Sequence, residues 1–207
     1  MEQRFFEAGT VPEFSTRAWH APRDRAPHLE QEAHQPRLFK AADFVLEAAA
    51  GVPFCRVTDF GCGDGGLLSL IVESDKIGNC WGYDFTPANV AGARERGVLV
   101  QLKDFVHDSV VWGDIAVVTE VLEHMADPHG FLARAHRHGV SAVVASSPWQ
   151  ESEHDHVEYH VWAWDVEGYA AMIQGAGFRI VRHERVGGFQ VVLAVANWVP
   201  TTDQAIM

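Results

Sequence analysis

Between Val57 and Gly66 the chain reads VTDFGCGDGG, an apolar β-like run that breaks into four glycines within six positions. Glycine lets the backbone turn tightly and lets a ligand approach with no Cβ in the way. A strand that ends in such a loop therefore delivers a binding turn. Two templates fit at once: Gly61, Gly63 and Gly65 make GxGxG, while Gly61, Gly63 and Gly66 make the GxGxxG of a dinucleotide-binding turn. The glycines alone do not choose between them, so the choice falls to their neighbours.

Around the loop, helical and strand-like periods alternate. Leu38, Ala41, Ala42, Val45, Leu46 and Ala49 recur at helical spacing, with Gly51 and Pro53 as the stop, so a helix leads into the strand FCRVTDF. GGLLSLIVES reads as a helix and GNCWGYDF as the second strand. PANVAGARER is a further helix, with Thr86 as N-cap, Pro87 at its first position and Gly97 past its end. VLVQL, DIAVVT and SAVVASS follow as strands, with the helix PHGFLARAHRH between the last two; such apolar runs suit parallel strands covered on both faces.

The end departs from the alternation. DVEGYAAMIQGAG is a helix capped by Asp165, and FRIVRHERV and FQVVLAVANW are joined only by Gly187-Gly188. A link that short makes a hairpin, since a parallel return needs a crossover of a dozen or more residues. The expected fold is α/β, a Rossmann-like doubly wound sheet, mostly parallel, with an antiparallel C-terminal hairpin strand. Residues 38–200 are read as this domain, and residues 1–37, polar and rich in His, Pro, Arg and Glu, as a helical cap or arm.

With 207 residues, 47% of them hydrophobic, the chain can bury one sizeable core with little left for a second. The formal net charge of -12 repels phosphate backbones and disfavours nucleic acid as a partner. Cys55, Cys62 and Cys80 show neither CxxC spacing nor an even count, so reduced, buried thiols are expected. MEQRFFEAGT lacks the basic and apolar regions of a leader, and no apolar run approaches a membrane span; a cytoplasmic protein with no membrane partner is the expectation.

In an open α/β sheet, ligands bind outside the carboxyl ends of the strands. Asp59 and the glycines follow the first strand, Asp84 ends the second and Asp104 follows the third. Thr119 and Glu120 end the fourth, and Ser146, Ser147 and Pro148 the fifth. Asp84, 25 positions after Asp59, suits an acceptor for both hydroxyls of an adenosine ribose; the same residue reads otherwise as a turn or helix-capping aspartate.

Together these residues resemble the class I S-adenosylmethionine-dependent methyltransferases. VTDFGCGDG is similar to their first motif, WGYDF to their second and DIAVVTEVLEHMADP to their fourth, over roughly residues 38 to 197. The EVLEH form resembles the branch with ubiquinone-biosynthesis and natural-product O-methyltransferases. The resemblance implies S-adenosylmethionine as cofactor, with Asp59, Gly61, Cys62, Gly63 and Gly65 around its methionine end and Asp84 on its ribose. Phe85 would lie against the adenine, Asp104 would accept from the adenine amine beside Phe105, and Thr119 and Glu120 would close the site.

The implied activity is methyl transfer to a small-molecule acceptor, at oxygen. His124 and His160 are the candidate bases for a hydroxyl proton. Glu120, Glu123 and His124 at helix-turn spacing, completed by His160 four residues before Trp164, resemble the divalent-metal set of the small-RNA 3'-terminal 2'-O-methyltransferases, where the ion is Mg or Mn. The alternatives left open are that RNA-directed activity, a nicotinamide oxidoreductase, and a non-catalytic binding protein on the same fold. Trp149, Trp162 and Trp164 hint at an aromatic acceptor or, equally, at packing. In the arm, Trp19, His20, His28, His34 and Arg37 are expected either to pack on the sheet edge or to cover the cofactor.

Overall fold

A computed structural model describes residues 1–152 and 154–197. Strand β1 (Glu2–Arg4) opens the chain, and a single helical turn α1 (Arg17–His20) and short 3-10 turns lead to α2 (Gln35–Ala48). Then come β2 (Cys55–Phe60), α3 (Gly66–Ile71), β3 (Ile77–Asp84), α4 (Pro87–Glu95), β4 (Val100–Leu102) and β5 (Ile115–Thr119). A 3-10 turn at Leu122–His124 precedes α5 (Pro128–Arg137) and β6 (Ala142–Pro148). The remainder is β7 (Trp162–Trp164), α6 (Val166–Gly175), β8 (Phe178–Val186) and β9 (Phe189–Ala196). Trp198 to Pro200, the end of the expected domain and strand, lie outside the described residues.

The main sheet has seven strands in the order β4-β3-β2-β5-β6-β9-β8. The first five are parallel, and β9 enters antiparallel between β6 and β8. This is the expected doubly wound sheet, hairpin included. Side chains of successive strand residues point to opposite faces, and here each face has its own core. Val57, Ile115, Val117 and Val144 pack with Leu38, Val45, Leu68 and Ile71 on one side. Phe60, Ala116, Val118 and Val143 pack with Trp112, Phe131, Trp164 and Tyr169 on the other. Both layers explain why β5 is buried at every position.

Two local readings need correction. The helix expected from Leu38 starts at Gln35, so Arg37 lies inside its first turn. Thr86 occupies the N-cap position of α4 but makes no capping bond; its hydroxyl donates to the His20 carbonyl at 3.3 Å. The Asp165 cap is as expected: Trp164 ends a strand, and the helix begins at Val166 with the Asp165 side chain accepting from the Gly168 amide. A second sheet, β1 paired antiparallel with β7, carried no period long enough to be seen in sequence. The three cysteines are free and buried. Among the described residues no helix is long and apolar enough to cross a membrane.

Candidate active site

From β2 the chain moves outward through β3 and β4, then returns to lay β5 and β6 on the other side of β2. The reversal of strand order therefore lies between β2 and β5, and a crevice opens at their carboxyl ends. A cavity of ≈ 590 Å³ occupies it, floored by the glycine loop, Asp84 and Glu120. That is the size range of small-ligand sites.

The loop conformation separates the two glycine templates. Gly61, Gly63 and Gly65 have φ of +71°, +56° and +76°, while Gly66 is the first residue of α3. GxGxG is thus the triplet that needs glycine. A Cβ on Gly61 would stand 2.5 Å from Val121 Cγ2, and one on Gly65 would stand 2.4 Å from Val98 Cγ2.

Asp84 is tied to this loop. Its Oδ2 accepts from the Gly63 amide at 2.9 Å, and its Oδ1 accepts from the Thr86 amide and from Asn89 Nδ2. A carboxylate oxygen has about two acceptor sites, so Oδ1 is filled, while Oδ2, with the Gly63 amide alone, keeps acceptor capacity on a residue that lines the cavity. Burial raises this carboxyl, and the Thr86, Asn89 and Gly63 donors pull it back down. The helix-capping reading describes one oxygen, which holds the helix start through Thr86 and Asn89; the other is bonded to the glycine loop.

Behind the loop two buried groups lack partners. Asp59 is 1% exposed with no donor to Oδ1, and Arg37 is 1% exposed with none accepting from Nε. The Arg37 guanidinium donates to Ser146 Oγ at 3.5 Å and lies over the Phe189 ring. Burial first, then the charge of Asp84, push the Asp59 carboxyl well above the usual range, while Arg37 draws it down. Buried polar groups of this kind carry a desolvation cost until something bonds them. The signal in sequence was an arginine four residues before Ala41, on the apolar face of the helix rather than at the end of an arm.

Phe85 and Phe105 stack on each other, with centroids 4.9 Å apart and 16° between planes, and both line the cavity. Cys62 also lines it. Thr119 is buried at the end of β5. Asp104 is not among the residues that line the cavity; its Oδ1 accepts from the Val106 and His107 amides and its Oδ2 meets His107 Nδ1, so the carboxylate bonds within its own turn. The cavity wall holds none of Trp149, Trp162 and Trp164; Trp164 is core, and Trp162 donates to the Met125 carbonyl.

Of the four candidate metal ligands, three come together. One ligand atom from each of Glu123, His124 and His160 lies within 4.8 Å of the others. Glu123 is fully buried with neither carboxylate oxygen partnered. Burial and the neighbouring Glu120 push it well above the usual range. Glu120 stands beside the group, with a left-handed backbone at φ +57° and Oε1 accepting from Ser146 Oγ at 2.8 Å. His124 faces the cavity, its imidazole lowered to about 3 by burial and by His160.

The arm roofs the cavity, and Val11, Ser15, His20, Ala26 and His28 contribute to its wall. Ser15 donates to the His124 carbonyl, and the Ala26 amide donates to Asn89 Oδ1, one bond removed from Asp84. Asp64, in the glycine loop and 2% exposed, accepts from both Arg25 and Arg96, and Arg96 also meets Glu30.

The family model described as a methyltransferase domain matches residues 31–183. No curated protein sequence matches the chain. Among solved structures the chain is similar to the [4+2]-cyclase SpnF, with a TM-score of 0.65 and 17% identity over 86% of this chain and 85% of that one. It is similar to 1,6-didemethyltoxoflavin-N1-methyltransferase of Burkholderia thailandensis, solved with 1,6-didemethyltoxoflavin and S-adenosylhomocysteine; there the TM-score is 0.61, with 19% identity over 81% and 79%. For magnesium protoporphyrin IX methyltransferase of Synechocystis PCC 6803, solved with bound SAM, the values are 0.62, 15%, 84% and 86%.

Proposed function

The chain belongs to the methyltransferase domain family, and on that premise we propose that it moves a methyl group from S-adenosylmethionine to an oxygen of a small-molecule acceptor. The observation that carries the reading is the bond from the Gly63 amide to Asp84 Oδ2 at the floor of the cavity. It makes the left-handed glycine loop and the acid of the next strand one surface, with an open acceptor site for a ribose hydroxyl. The other residues fit the same ligand. The stacked Phe85 and Phe105 offer a planar wall to an adenine, and Asp59 and Arg37 offer an unpartnered acceptor and donor to an amino acid's ammonium and carboxylate. Asp104, occupied by its own turn, is left out of the adenine role.

When bound, S-adenosylmethionine supplies a methyl already activated on a sulfonium. The chain's part is to align an acceptor, exclude water and hold the proton of a hydroxyl. The arm excludes water. His20 and His124 present imidazoles to the cavity; burial lowers both, so both are neutral near pH 7. Calorimetry with S-adenosylhomocysteine tests the reading, with NAD as the control. Absence of binding, or equal binding to the Asp84→Ala variant, defeats it. The similar SpnF is a [4+2]-cyclase, and fold alone does not assign chemistry; transfer of a labelled methyl to hydroxyl-bearing and amine-bearing acceptors therefore decides the reaction and the attacking atom.

A second reading, in which Glu123, His124 and His160 hold a divalent cation beside Glu120, is favoured by one observation: a buried Glu123 carboxylate with both oxygens unpartnered, against two imidazoles. Such an ion would supply Lewis-acid polarisation of an acceptor oxygen. Mixed carboxylate and imidazole donors suit Mn²⁺ or a neighbouring first-row ion. The net charge of -12 weighs against an RNA acceptor for this set. Turnover untouched by EDTA, with no anomalous scatterer at the three residues, rules the ion out.

A further inference from the structure

We propose that Glu151, in the loop after β6, is a positioning residue that aims His160 at a divalent cation, a role that rests on the metal reading above. Its Oε2 accepts from His160 Nδ1 at 2.6 Å and its Oε1 from the Val157 amide at 3.1 Å. The two side chains of the pair are 11% and 6% exposed, so water does not loosen the contact. A carboxylate that accepts a hydrogen bond from Nδ1–H fixes the tautomer, leaving Nε2 of His160 with its lone pair.

His124 is prepared in the same way by a different group. Its Nδ1 lies 3.1 Å from the Tyr159 carbonyl, which can only accept, so the proton sits on Nδ1 and Nε2 carries the lone pair. The rings are 4.7 Å apart and 79° to each other. Two imidazoles with their donor sides turned outward to oxygen acceptors, and an unpartnered carboxylate beside them, make the arrangement that metal-ligating histidines adopt with their outer partners. Packing alone would not require both rings to expose the same nitrogen. The Val157 bond adds a mechanical link: the same carboxylate that orients His160 also folds the chain between them, so ligand and support are set by one side chain.

The test uses the full chain and Mn²⁺ alone, followed by calorimetry and by electron paramagnetic resonance of free Mn²⁺, together with ¹⁵N imidazole spectra recorded without metal. The unaltered chain binds Mn²⁺ and shows His160 protonated at Nδ1. Glu151→Ala weakens binding about 10–100-fold and shifts His160 toward the other tautomer. Glu151→Gln, whose single amide oxygen can still accept from His160 Nδ1 but not also from Val157, falls between Glu151→Ala and the unaltered chain in both readouts. Affinity for S-adenosylhomocysteine stays unchanged in the two variants, which shows that the fold is intact. Mn²⁺ affinity and tautomer in Glu151→Ala equal to those of the unaltered chain overturn the positioning role while leaving the metal. Failure of the unaltered chain to bind Mn²⁺ overturns the metal reading and the role with it.

Discussion

Asp84 Oδ2 and the Gly63 amide are 2.9 Å apart, so the acid at the end of β3 and the loop after β2 move as one unit. Asp84→Ala removes the open acceptor site and releases the Gly63, Thr86 and Asn89 donors together. A hydrogen bond to a charged group contributes about 1.5–3 kcal/mol, so S-adenosylhomocysteine affinity is expected to fall at least 10-fold by calorimetry. An unchanged affinity would show that the ribose is held elsewhere.

Arg37 is expected to recognise the amino acid end of the cofactor and nothing else. Methylthioadenosine, which lacks that end, separates recognition from general damage. Arg37→Met should weaken S-adenosylhomocysteine by about 10–100-fold, the scale of one or two charge-assisted bonds, and leave methylthioadenosine unaffected. Equal losses for both compounds would assign Arg37 a purely structural part.

Asp64 latches the arm. Its Oδ2 accepts from Arg25 Nε at 2.9 Å and from Arg96 Nε and Nη2 at 3.1 and 2.7 Å. Because Arg25 is a third exposed, the cost of Asp64→Asn is set below that of breaking a fully buried pair, at about 1–3 kcal/mol. Amide exchange over residues 11–30 should accelerate, with faster release of S-adenosylhomocysteine. Exchange in the arm that stays at its original rate speaks against the latch.

His28 gives the arm a pH dependence of known sign. Burial, His34 and Arg37 lower its imidazole from the ordinary 6.5 to about 4. The unfolded chain therefore takes up the proton first, and stability present above pH 6.5 is lost as pH falls from 6.5 toward 4. The buried carboxyls of Asp59 and Glu123 are raised and act in the opposite direction, so the readout is a difference. Denaturation midpoints of the unaltered chain and His28→Gln at pH 7 and pH 4.5 should show the variant losing less. Parallel losses would mean that His28 keeps its ordinary affinity for protons in the folded chain.

Much of this was legible because the decisive signals are local. Gly187-Gly188 forces a hairpin whatever surrounds it, and strands buried on both faces advertise themselves by unbroken apolar runs. Asp84 could be placed because the strand period fixes where it ends. The failures share a cause too. Three-residue strands such as β1 and β7 have no period to read, and their pairing joins Glu2 to Trp164. Asp104 stands where the resemblance puts an adenine contact, and sequence does not show that Val106 and His107 turn their amides back onto it or that it lies outside the cavity wall. Glu151 carries no signal of its own among the histidines around it, since what marks it is a partner nine residues away.

The β1–β7 ladder also sets an order of events during synthesis. Every residue of the glycine loop, β3 and β5 has been made before Trp162–Trp164 exists to receive β1. Contacts between such distant positions form late, because the loop they close must be ordered first. On a ribosome the β1–β7 ladder is therefore the last anchor the arm receives, after Asp64, Asn89 and Arg96 have already supplied theirs to the segment that roofs the cleft.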